Sequence, residues 1–187
     1  MTKADETKAR ILAAALDEFS AYGVAGARVD RIAATAGCNK NLLYVYFGSK
    51  ENLFTAVLDQ HLARVYEDIP FTPDDLPGFA GRVFDFAMSR PDLMRLLAWA
   101  TLEQAAQSPG SRTASRDAKV DALAKAQDEH RLGTEFSPAF LVATVMSLAS
   151  AWSAAFPFGM AMHPGQAPPL AELREQVVRA VMRLTSA

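Results

Sequence analysis

The stretch of sequence that decides the fold is RVDRIAATAGCNKNLLYVYFGSK, which runs from Arg28 to Lys50. The apolar residues of its first half recur with the spacing of one helix face. They are Val29, Ile32, Ala33 and Ala36. Gly37 follows directly, where the end of a helix favours a residue that tolerates a positive φ angle. The first half of the stretch therefore predicts a short helix that ends at Gly37.

A second short helix is predicted directly after this turn. Asn39 is a favourable N-cap. The apolar side of the residues that follow consists of Leu42, Leu43 and Phe47. Two short helices joined by a turn of about three to four residues that contains glycine form a helix-turn-helix. Because the second helix of this motif fits the major groove of DNA, residues 28–47 predict a DNA-binding motif.

The composition of the whole chain indicates a folded, helical protein. It has 187 residues, of which 50% are apolar and 21% are charged, so it can bury a core. Long segments rich in alanine and leucine, without a hairpin signal or alternating β-branched residues, predict an all-α fold. The single cysteine, Cys38, excludes an intramolecular disulfide framework and a zinc site built from cysteines.

The sequence also carries signals of location. The N-terminal residues, MTKADETKARILAAALDEF, have charges among their apolar positions, which is not typical of a signal peptide. No stretch reaches about 18 uninterrupted apolar residues, so we expect no membrane-spanning helix. We therefore expect a soluble protein of the cytoplasm.

Charge is distributed unevenly along the chain, whose net charge is −2. Residues 1–66 carry eight basic and seven acidic side chains, and the remainder carries eleven and fourteen. Within residues 28–50 a single acidic residue, Asp30, stands against Arg28, Arg31, Lys40 and Lys50. A small basic face on a mildly acidic protein suits a molecule that contacts DNA at one end only.

Turn residues and helical periodicity divide the rest of the chain. Three prolines fall within IPFTPDDLPG, residues 69–78, which we interpret as the boundary between a domain of residues 1–66 and one of residues 67–187. Ser49 is the expected N-cap of a long fourth helix that runs to about Tyr66. The other predicted helices span residues 5–21, 76–89, 91–107, 113–129, 137–156 and 169–184, with loops at 108–111 and 157–169.

Residues 36–54, AGCNKNLLYVYFGSKENLF, resemble the signature of the tetracycline-repressor-like (TetR) family of transcription regulators. The positions that match the family pattern are Ala36, Gly37, Lys40, Leu43, Tyr44, Tyr46, Phe47, Ser49, Lys50, Glu51 and Leu53. The resemblance implies a three-helix DNA-binding domain at residues 1–66, which the fourth helix joins to a helical domain at residues 67–187. In this family the second domain binds a ligand and forms a dimer.

The resemblance also implies which residues contact the DNA backbone. In the family, Lys40 and Tyr44 would contact phosphates near the start of the reading helix, and packing in the core is the alternative for Tyr44. Lys50 can hold a phosphate at the start of the fourth helix, or it can be solvated. Tyr46 can contact the backbone or pack partly in the core. Arg28, at the entrance of the motif, is a further phosphate ligand.

The sequence departs from the family pattern at positions that bear on DNA. Ala27 and Arg28 replace a usual pair of hydroxyl residues, so a helix cap is missing and Arg28 can replace a phosphate contact with a charge. Asn41, Leu42 and Val45 replace residues that are commonly Gly, Thr and His. Asn41 can pair with an adenine edge, and Leu42 or Val45 can meet a thymine methyl group. We therefore predict that these three side chains read the bases.

The last predicted helix carries a seam that suits a second chain. Its apolar residues, three or four positions apart, are Leu170, Leu173, Val177, Val181 and Leu184. The predicted helix 137–156 is apolar nearly all round, which indicates burial on more than one side. Because the last two long helices of the family pack as a four-helix dimer bundle, we expect a homodimer. Packing of both helices within one chain is the alternative.

The family typically holds a small inducer in its second domain. The large side chains that could line such a cavity are Phe84, Met94, Trp99, Met146, Trp152, Phe156 and Met160. Glu103 and Gln104 could orient a polar group of the ligand. Few charges converge in this half, so we expect a largely apolar ligand, and a well-packed core is the alternative for each of these residues.

These patterns predict a repressor that binds a palindromic operator as a homodimer and is released by a small ligand. The alternatives are a ligand-sensing or scaffold protein that has lost DNA binding, and an activator of the same fold. An enzyme is not expected, because the chain lacks the common nucleophile, zinc-protease, P-loop and dinucleotide motifs. His61, His130 and His163 are far apart, so we expect neither a metal nor a cofactor. Cys38 could be a redox switch, although a small packing residue is the preferred interpretation.

Overall fold

The computed structural model describes residues 2–103, 110–156, 159, 162, 165 and 168–186. In these residues the chain forms nine α-helices and one 3-10 turn, Pro73–Asp75, and no β-strand, so the all-α prediction is confirmed. The helices are α1 (Lys3–Gly26), α2 (Val29–Ala36), α3 (Lys40–Phe47), α4 (Lys50–Asp68), α5 (Leu76–Ser89), α6 (Pro91–Leu102), α7 (Gly110–Asp128), α8 (Pro138–Ser150) and α9 (Leu170–Thr185).

The chain divides into two compact units. The first unit consists of Met1–Arg64 and Asp92–Ser111, and the second consists of Val65–Pro91 and Arg112–Ala187. The first division falls close to the domain boundary expected after residue 66. The sequence did not predict that α6 would group with α1, α2 and α3.

Local sequence explains how α1 begins and what it buries. The Thr2 hydroxyl accepts the N–H of Asp5 at 3.2 Å, and the Asp5 carboxylate accepts the N–H of Thr2 at 2.8 Å, which is a capping box. The predicted apolar face of α1 is buried, and its members are Ile11, Leu12, Ala15, Leu16 and Phe19. The Phe19 ring packs edge-on against Phe54 of α4, with centroids 5.2 Å apart.

A break inside α1 replaces the helix end that was expected at Gly23. Gly23 has a φ angle of 67°, which is the left-handed region that favours glycine. One further helical turn then continues to Gly26. The chain therefore passes from α1 towards α2 through one further helical turn rather than through a loop.

α5 lies at the centre of the second unit and packs against both α8 and α9. These three helices contribute most of one hydrophobic core, which includes Phe79, Val83, Phe84, Leu141, Val145, Leu173, Val177 and Val181. The Asp75 carboxylate caps α5 by accepting the N–H of Gly78 at 2.9 Å. Nε of Arg174 on α9 donates to both carboxylate oxygens of Asp85 on α5, at 2.9 and 2.8 Å.

Three predicted helix boundaries are corrected by the structure, and the first is the end of α6, which lies at Leu102 rather than at residue 107. α8 ends at Ser150 rather than near Phe156, because Ser153 and Phe156 donate their N–H groups to carbonyls three residues back, as in successive turns. α7 begins at Gly110, so the end of the predicted loop 108–111 is helical. Residues 104–109 and most of the predicted loop 157–169 lie outside the described residues.

Candidate nucleic-acid interface

α2 and α3 form the predicted helix-turn-helix in the first unit. Gly37 adopts φ 63° and ψ 42° at the end of α2, and its N–H donates to the carbonyl of Ala34 at 3.2 Å. The Asn39 side chain accepts the N–H of Asn41 at 2.8 Å and so begins α3. The turn therefore uses the two residues that the sequence singled out for it.

α3 has one buried and one exposed face. Leu43 and Phe47 are buried in the first unit. The predicted DNA-contacting residues divide into the exposed Lys40, Asn41, Tyr44 and Val45 and the half-buried Leu42 and Tyr46. Tyr44 is 46% exposed and Val45 is 75% exposed, so neither is a core residue. Aromatic and aliphatic side chains that stay exposed beside polar ones suit a surface that contacts a partner.

Lys40 is paired with an acidic residue of the preceding helix. Its Nζ lies 3.0 Å from Oδ1 of Asp30 on α2, and both side chains are solvent-accessible. The hydrogen bond to Asp30 holds the pKa of Lys40 above its ordinary value. Lys40 is therefore fully charged at neutral pH, and a DNA phosphate would compete with Asp30 for it.

The start of α2 is held by a residue that the sequence analysis did not single out. Glu18 of α1 is 9% exposed, and its carboxylate accepts the N–H of Arg28 at 2.8 Å. It also accepts Nε of Arg31 at 2.8 and 3.1 Å, and the Arg31 guanidinium lies 4.3 Å from the Tyr22 ring centroid. The side chain of Arg28 itself is exposed. The sequence did contain a signal for Glu18, which is an acidic residue beside Phe19 on the apolar face of α1. Such a position indicates a buried carboxylate, and a buried carboxylate needs hydrogen-bond partners.

Lys50 has an acceptor within its own chain. Its Nζ donates to the carbonyl of Ala27 at 3.2 Å, and the side chain is half-buried. Its ammonium group therefore lies beside the residue that precedes Arg28. The hydroxyl of Ser49 accepts the N–H of Asn52 at 3.0 Å, which is the cap predicted for α4.

Glu103 has a contact in the first unit that differs from its expected role as a ligand-orienting group. Its Oε2 accepts the N–H groups of Val24 at 2.8 Å and Ala25 at 3.2 Å, which are left free by the break at Gly23. Trp99 packs against Gly23. These contacts give Glu103 and Trp99 a structural role that a sequence pattern could not reveal, because they join segments 79 residues apart.

The other residues expected to line a ligand cavity are divided between the two units. Met94 is buried in the first unit, while Phe84, Met146, Trp152 and Phe156 belong to the second. Phe84 is a core residue whose ring packs against Trp152, with centroids 6.5 Å apart, and Met146 and Phe156 are exposed. Gln104 and Met160 lie outside the described residues.

The expected dimer seam on α9 is largely interior. Leu173, Val177 and Val181 are buried in the core of the second unit against α5 and α8, so within one chain they already have partners. Leu170 is exposed and Leu184 is half-buried. Leu173, Val177 and Val181 therefore pack within their own unit, and contact of α9 with a second chain stays a prediction. Their spacing marks the side of α9 that packs within its own unit.

Possible metal ligands do not cluster in the described part of the chain. No group of three or more histidine, cysteine, aspartate or glutamate side chains there could hold a metal ion. None of the helices described has the length and the apolar character needed to span a bilayer. Cys38 lies half-buried in the turn between α2 and α3.

Two family models match this chain, one over each part of the fold. Residues 11–57 match the model described as bacterial regulatory proteins, tetR family. Residues 75–183 match the model described as tetracyclin repressor-like, C-terminal domain. The first match contains the whole helix-turn-helix, and the second contains all but the last two residues of α9.

Individual proteins show the same similarity. The chain is 46% identical over 99 residues to the transcriptional repressor SCO4008 of Streptomyces coelicolor, which is 53% of this chain and 52% of that protein. It is 33% identical over 109 residues to the transcriptional repressor NicS of Pseudomonas putida, 54% of this chain and 51% of that one. The match thus covers about half the length of these relatives. The crystal structure of SCO4942 from Streptomyces coelicolor is 35% identical, with a TM-score of 0.85 over 96% of this chain and 98% of that one.

Proposed function

Because the chain belongs to the TetR family of transcription regulators, we propose that it represses transcription by binding a palindromic operator as a homodimer. A small, largely apolar ligand releases it from the operator. As a member of this family it is a DNA-binding regulator with a helix-turn-helix, and it is not an enzyme. Its place of action is the cytoplasm, where the DNA is.

The observation that carries this proposal is the exposed face of α3. Tyr44 and Val45 stay exposed there while Leu43 and Phe47 fill the core. Lys40 and Asn41 lie on the same exposed side. A helix of this kind can enter the major groove without disturbing the core of its own unit.

The roles of the contacting residues follow from their chemistry. Lys40, Tyr44 and Arg28 contact phosphates, which fixes the register of the protein on the duplex but reads no sequence. Lys50 and Tyr46, both half-buried, contact the backbone at the edge of the same surface. Asn41, Leu42 and Val45 read base edges, the amide by hydrogen bonds and the apolar side chains by contact with thymine methyl groups.

A homodimer is proposed because one reading helix covers only a few base pairs. Dimeric helix-turn-helix proteins place two reading helices about 34–36 Å apart, on successive major grooves. In the second unit α8 and α9 contact each other. Large apolar side chains remain exposed on both, namely Phe140, Met146, Leu170 and Met182. These four side chains, which we call the α8–α9 face, are the surface that a second copy would cover.

The ligand acts by shifting an equilibrium between two arrangements of the dimer. It releases the DNA only in so far as it binds more tightly to the arrangement whose reading helices do not match successive grooves. α4 is the helix that passes from the first unit into the second, so it connects the ligand-binding part with the reading helix. Phe84 and Trp152 are the cavity candidates that pack together.

The experiment that tests this function is a fluorescence anisotropy titration with DNA from just upstream of the gene, at two salt concentrations. Lys40→Ala removes a proposed phosphate contact. Lys125→Ala removes the same charge from the exposed surface of α7 and is the matched control. We expect tight, salt-sensitive binding that Lys40→Ala weakens and Lys125→Ala leaves unchanged.

Two other outcomes would lead away from this proposal. Binding no tighter than to random DNA, and insensitive to Lys40→Ala, would favour the ligand-sensing or scaffold alternative. A selection of bound fragments from the whole genome would then show whether a distant operator exists. Tight binding that raises transcription of the neighbouring gene in a reporter assay would identify an activator.

A further inference from the structure

α2 begins without a capping arrangement of its own. Arg28 is its N-cap, and in the described residues the Arg28 side chain makes no capping hydrogen bond. In a capping box, an acidic or amide side chain at the third helical position accepts the N–H of the N-cap residue. That position of α2 is Arg31, which has only donors. The start of α2 therefore needs an acceptor from another helix.

Glu18 of α1 supplies that acceptor and pairs with the arginine at the same time. One of its oxygens, Oε1, accepts the N–H of Arg28 at 2.8 Å and also Nε of Arg31 at 2.8 Å. Nη2 of Arg31 lies 2.5 Å from the same oxygen and donates to the carbonyl of Gly26 at 3.2 Å. Through these hydrogen bonds, the buried carboxylate of Glu18 and its partner Arg31 connect α1 and the residues after it with the first turn of α2.

Arg31 and Arg28 therefore have different roles. The guanidinium of Arg31 is engaged by groups of α1, namely the Glu18 carboxylate and the Tyr22 ring. The backbone of Arg28 is fixed by Glu18, while its side chain is exposed. An arginine on a fixed backbone loses less freedom when it binds a phosphate, because only its side chain has to be ordered.

We propose that Glu18 is a positioning residue for DNA binding, which fixes the start of α2 so that the guanidinium of Arg28 meets a DNA phosphate. This inference rests on the proposed DNA-binding function. According to this inference, the negatively charged Glu18 favours binding to DNA, although DNA is itself a polyanion. Glu18 accepts the N–H of the N-cap residue, which is the bond that the third helical residue makes in a capping box.

Simple electrostatics gives the opposite expectation, which makes the inference testable. Removal of a negative charge from a DNA-binding unit should strengthen binding to DNA. Asp17 is the neighbour of Glu18 on α1 and is exposed. Asp17→Asn therefore measures the effect of charge alone, and Glu18→Gln measures charge together with position.

The experiment compares both variants by anisotropy titration with the upstream fragment and with a random-sequence duplex, at two salt concentrations. We expect Asp17→Asn to bind as tightly as the wild type or slightly more tightly. Glu18→Gln should weaken binding to both duplexes by about tenfold, which is the order of one lost phosphate contact. In an Arg28→Ala background Glu18→Gln should cause no further loss, because the contact that it positions is already gone.

A second variant guards against a general loss of structure in Glu18→Gln. Circular dichroism and thermal unfolding report whether each variant is folded at the temperature of the titration. Arg31→Lys keeps every charge and removes only the planar fork that Glu18 binds. It should weaken DNA binding when Arg28 is present and have no effect in the Arg28→Ala background.

The outcomes separate this inference from the function on which it rests. A wild-type chain that binds neither duplex would contradict the proposed function and the inference with it. A wild-type chain that binds DNA, with folded Glu18→Gln and Arg31→Lys variants that bind as Asp17→Asn does, would overturn the inference alone. A loss of affinity of the same size with and without Arg28 would also overturn it, since Glu18 would then act on the fold in general.

Discussion

Individual charges on the exposed side of the helix-turn-helix are already paired within the protein. Lys40 is 3.0 Å from Asp30, and Lys50 donates to the carbonyl of Ala27. In the proposed complex with DNA, the free energy that Lys40 would gain from a phosphate is therefore reduced by that of the ion pair with Asp30, which it gives up. The affinity for DNA depends on Asp30 as well as on the basic residues.

Asp30→Asn is expected to raise the affinity for all DNA sequences, because Lys40 then loses its competing carboxylate. Lys40→Ala should lower it for all sequences and reduce the salt slope by about 1. Anisotropy titrations of the two variants and of the double variant form a cycle. If Asp30→Asn raises affinity equally with and without Lys40, the gain comes from the overall charge and the pair plays no part.

Asn41→Ala is expected to act on specificity rather than on general affinity. The amide can make two hydrogen bonds to one adenine edge, so its loss should cost about 1–3 kcal/mol at a single base pair. Competition binding with operator variants, each changed at one position, measures this. Tyr44→Ala is the matched comparison and should weaken binding to all variants about equally. An equal loss over all variants for Asn41→Ala would place this residue on the backbone.

Glu18 is expected to make the stability of the fold depend on pH in the acid range. Burial acts to raise its pKa, but the hydrogen bonds from Arg31 and from the N–H of Arg28 outweigh burial, so the pKa is lowered below its ordinary value of 4.5. As the pH falls through this range, the unfolded chain binds a proton before the folded chain does. The free energy of unfolding therefore decreases.

Denaturant unfolding at a series of pH values below neutrality measures this effect. The wild type should lose stability on acidification more steeply than Glu18→Gln, which has no proton to bind at this position. Asp17→Asn serves as the control for a carboxylate in an exposed position. Equal slopes for the wild type and Glu18→Gln would show that the pairing does not shift this titration.

At the scale of the elements, α1 depends on glycine at its break. Gly23 has φ 67°, and a Cβ atom there would lie 2.9 Å from Trp99 and would also collide with the Glu103 carboxylate. Gly37 has φ 63°, but a Cβ atom there would have no neighbour within 4 Å in the described residues. The two glycines therefore share a positive φ angle, but they differ in ψ, which is −178° at Gly23 and 42° at Gly37, and in the space around them.

Gly23→Ala should destabilise the protein more than Gly37→Ala does. The αL backbone of Gly37 costs about 1–2 kcal/mol for alanine. At Gly23 the φ and ψ angles fall in a region that essentially only glycine adopts, and the collision there adds on the order of 1–3 kcal/mol. Urea unfolding of both variants measures the difference. Equal losses of stability would contradict both the greater backbone strain at Gly23 and the collision with Trp99 and Glu103.

How far the sequence predicted each element depends on the range of the interactions that form it. Gly37 and Asn39 act on residues within a few positions, and the turn between α2 and α3 was predicted from them. The end of α8 and the role of Glu103 were not predicted. Glu103 contacts a break 79 residues away, and α8 ends although its apolar sequence continues. Local patterns carry no information on such contacts.

At the scale of the whole molecule, the same limit applies to α9. Its apolar residues recur three and four positions apart, which fits a seam between chains and a core within one chain equally well. Burial of Leu173, Val177 and Val181 against α5 assigns this pattern to the core of the second unit. The proposed second chain is therefore expected on the α8–α9 face, whose spacing gave no clear signal.

Substitution on the α8–α9 face should separate the two copies of the proposed homodimer. Phe140 on α8 and Met182 on α9 are about half exposed, so a glutamate at either position can be solvated in a single chain. In a dimer joined through this face, the same glutamate would lie against its symmetry-related copy or against a buried apolar surface, which would destabilise the dimer. Phe140→Glu and Met182→Glu are therefore expected to give folded monomers in sedimentation equilibrium. Leu102→Glu, which changes an exposed leucine of the first unit in the same way, should leave a dimer.

The loss of the dimer should also appear in DNA binding, because two linked reading helices bind a palindrome far more tightly than one. The monomeric variants should bind the intact operator about as weakly as the wild type binds an isolated half-site, and their salt slopes should fall to about half. A dimer that survives both substitutions would show that another surface joins the copies. Monomers that keep full affinity for the palindrome would show that each half-site is read independently.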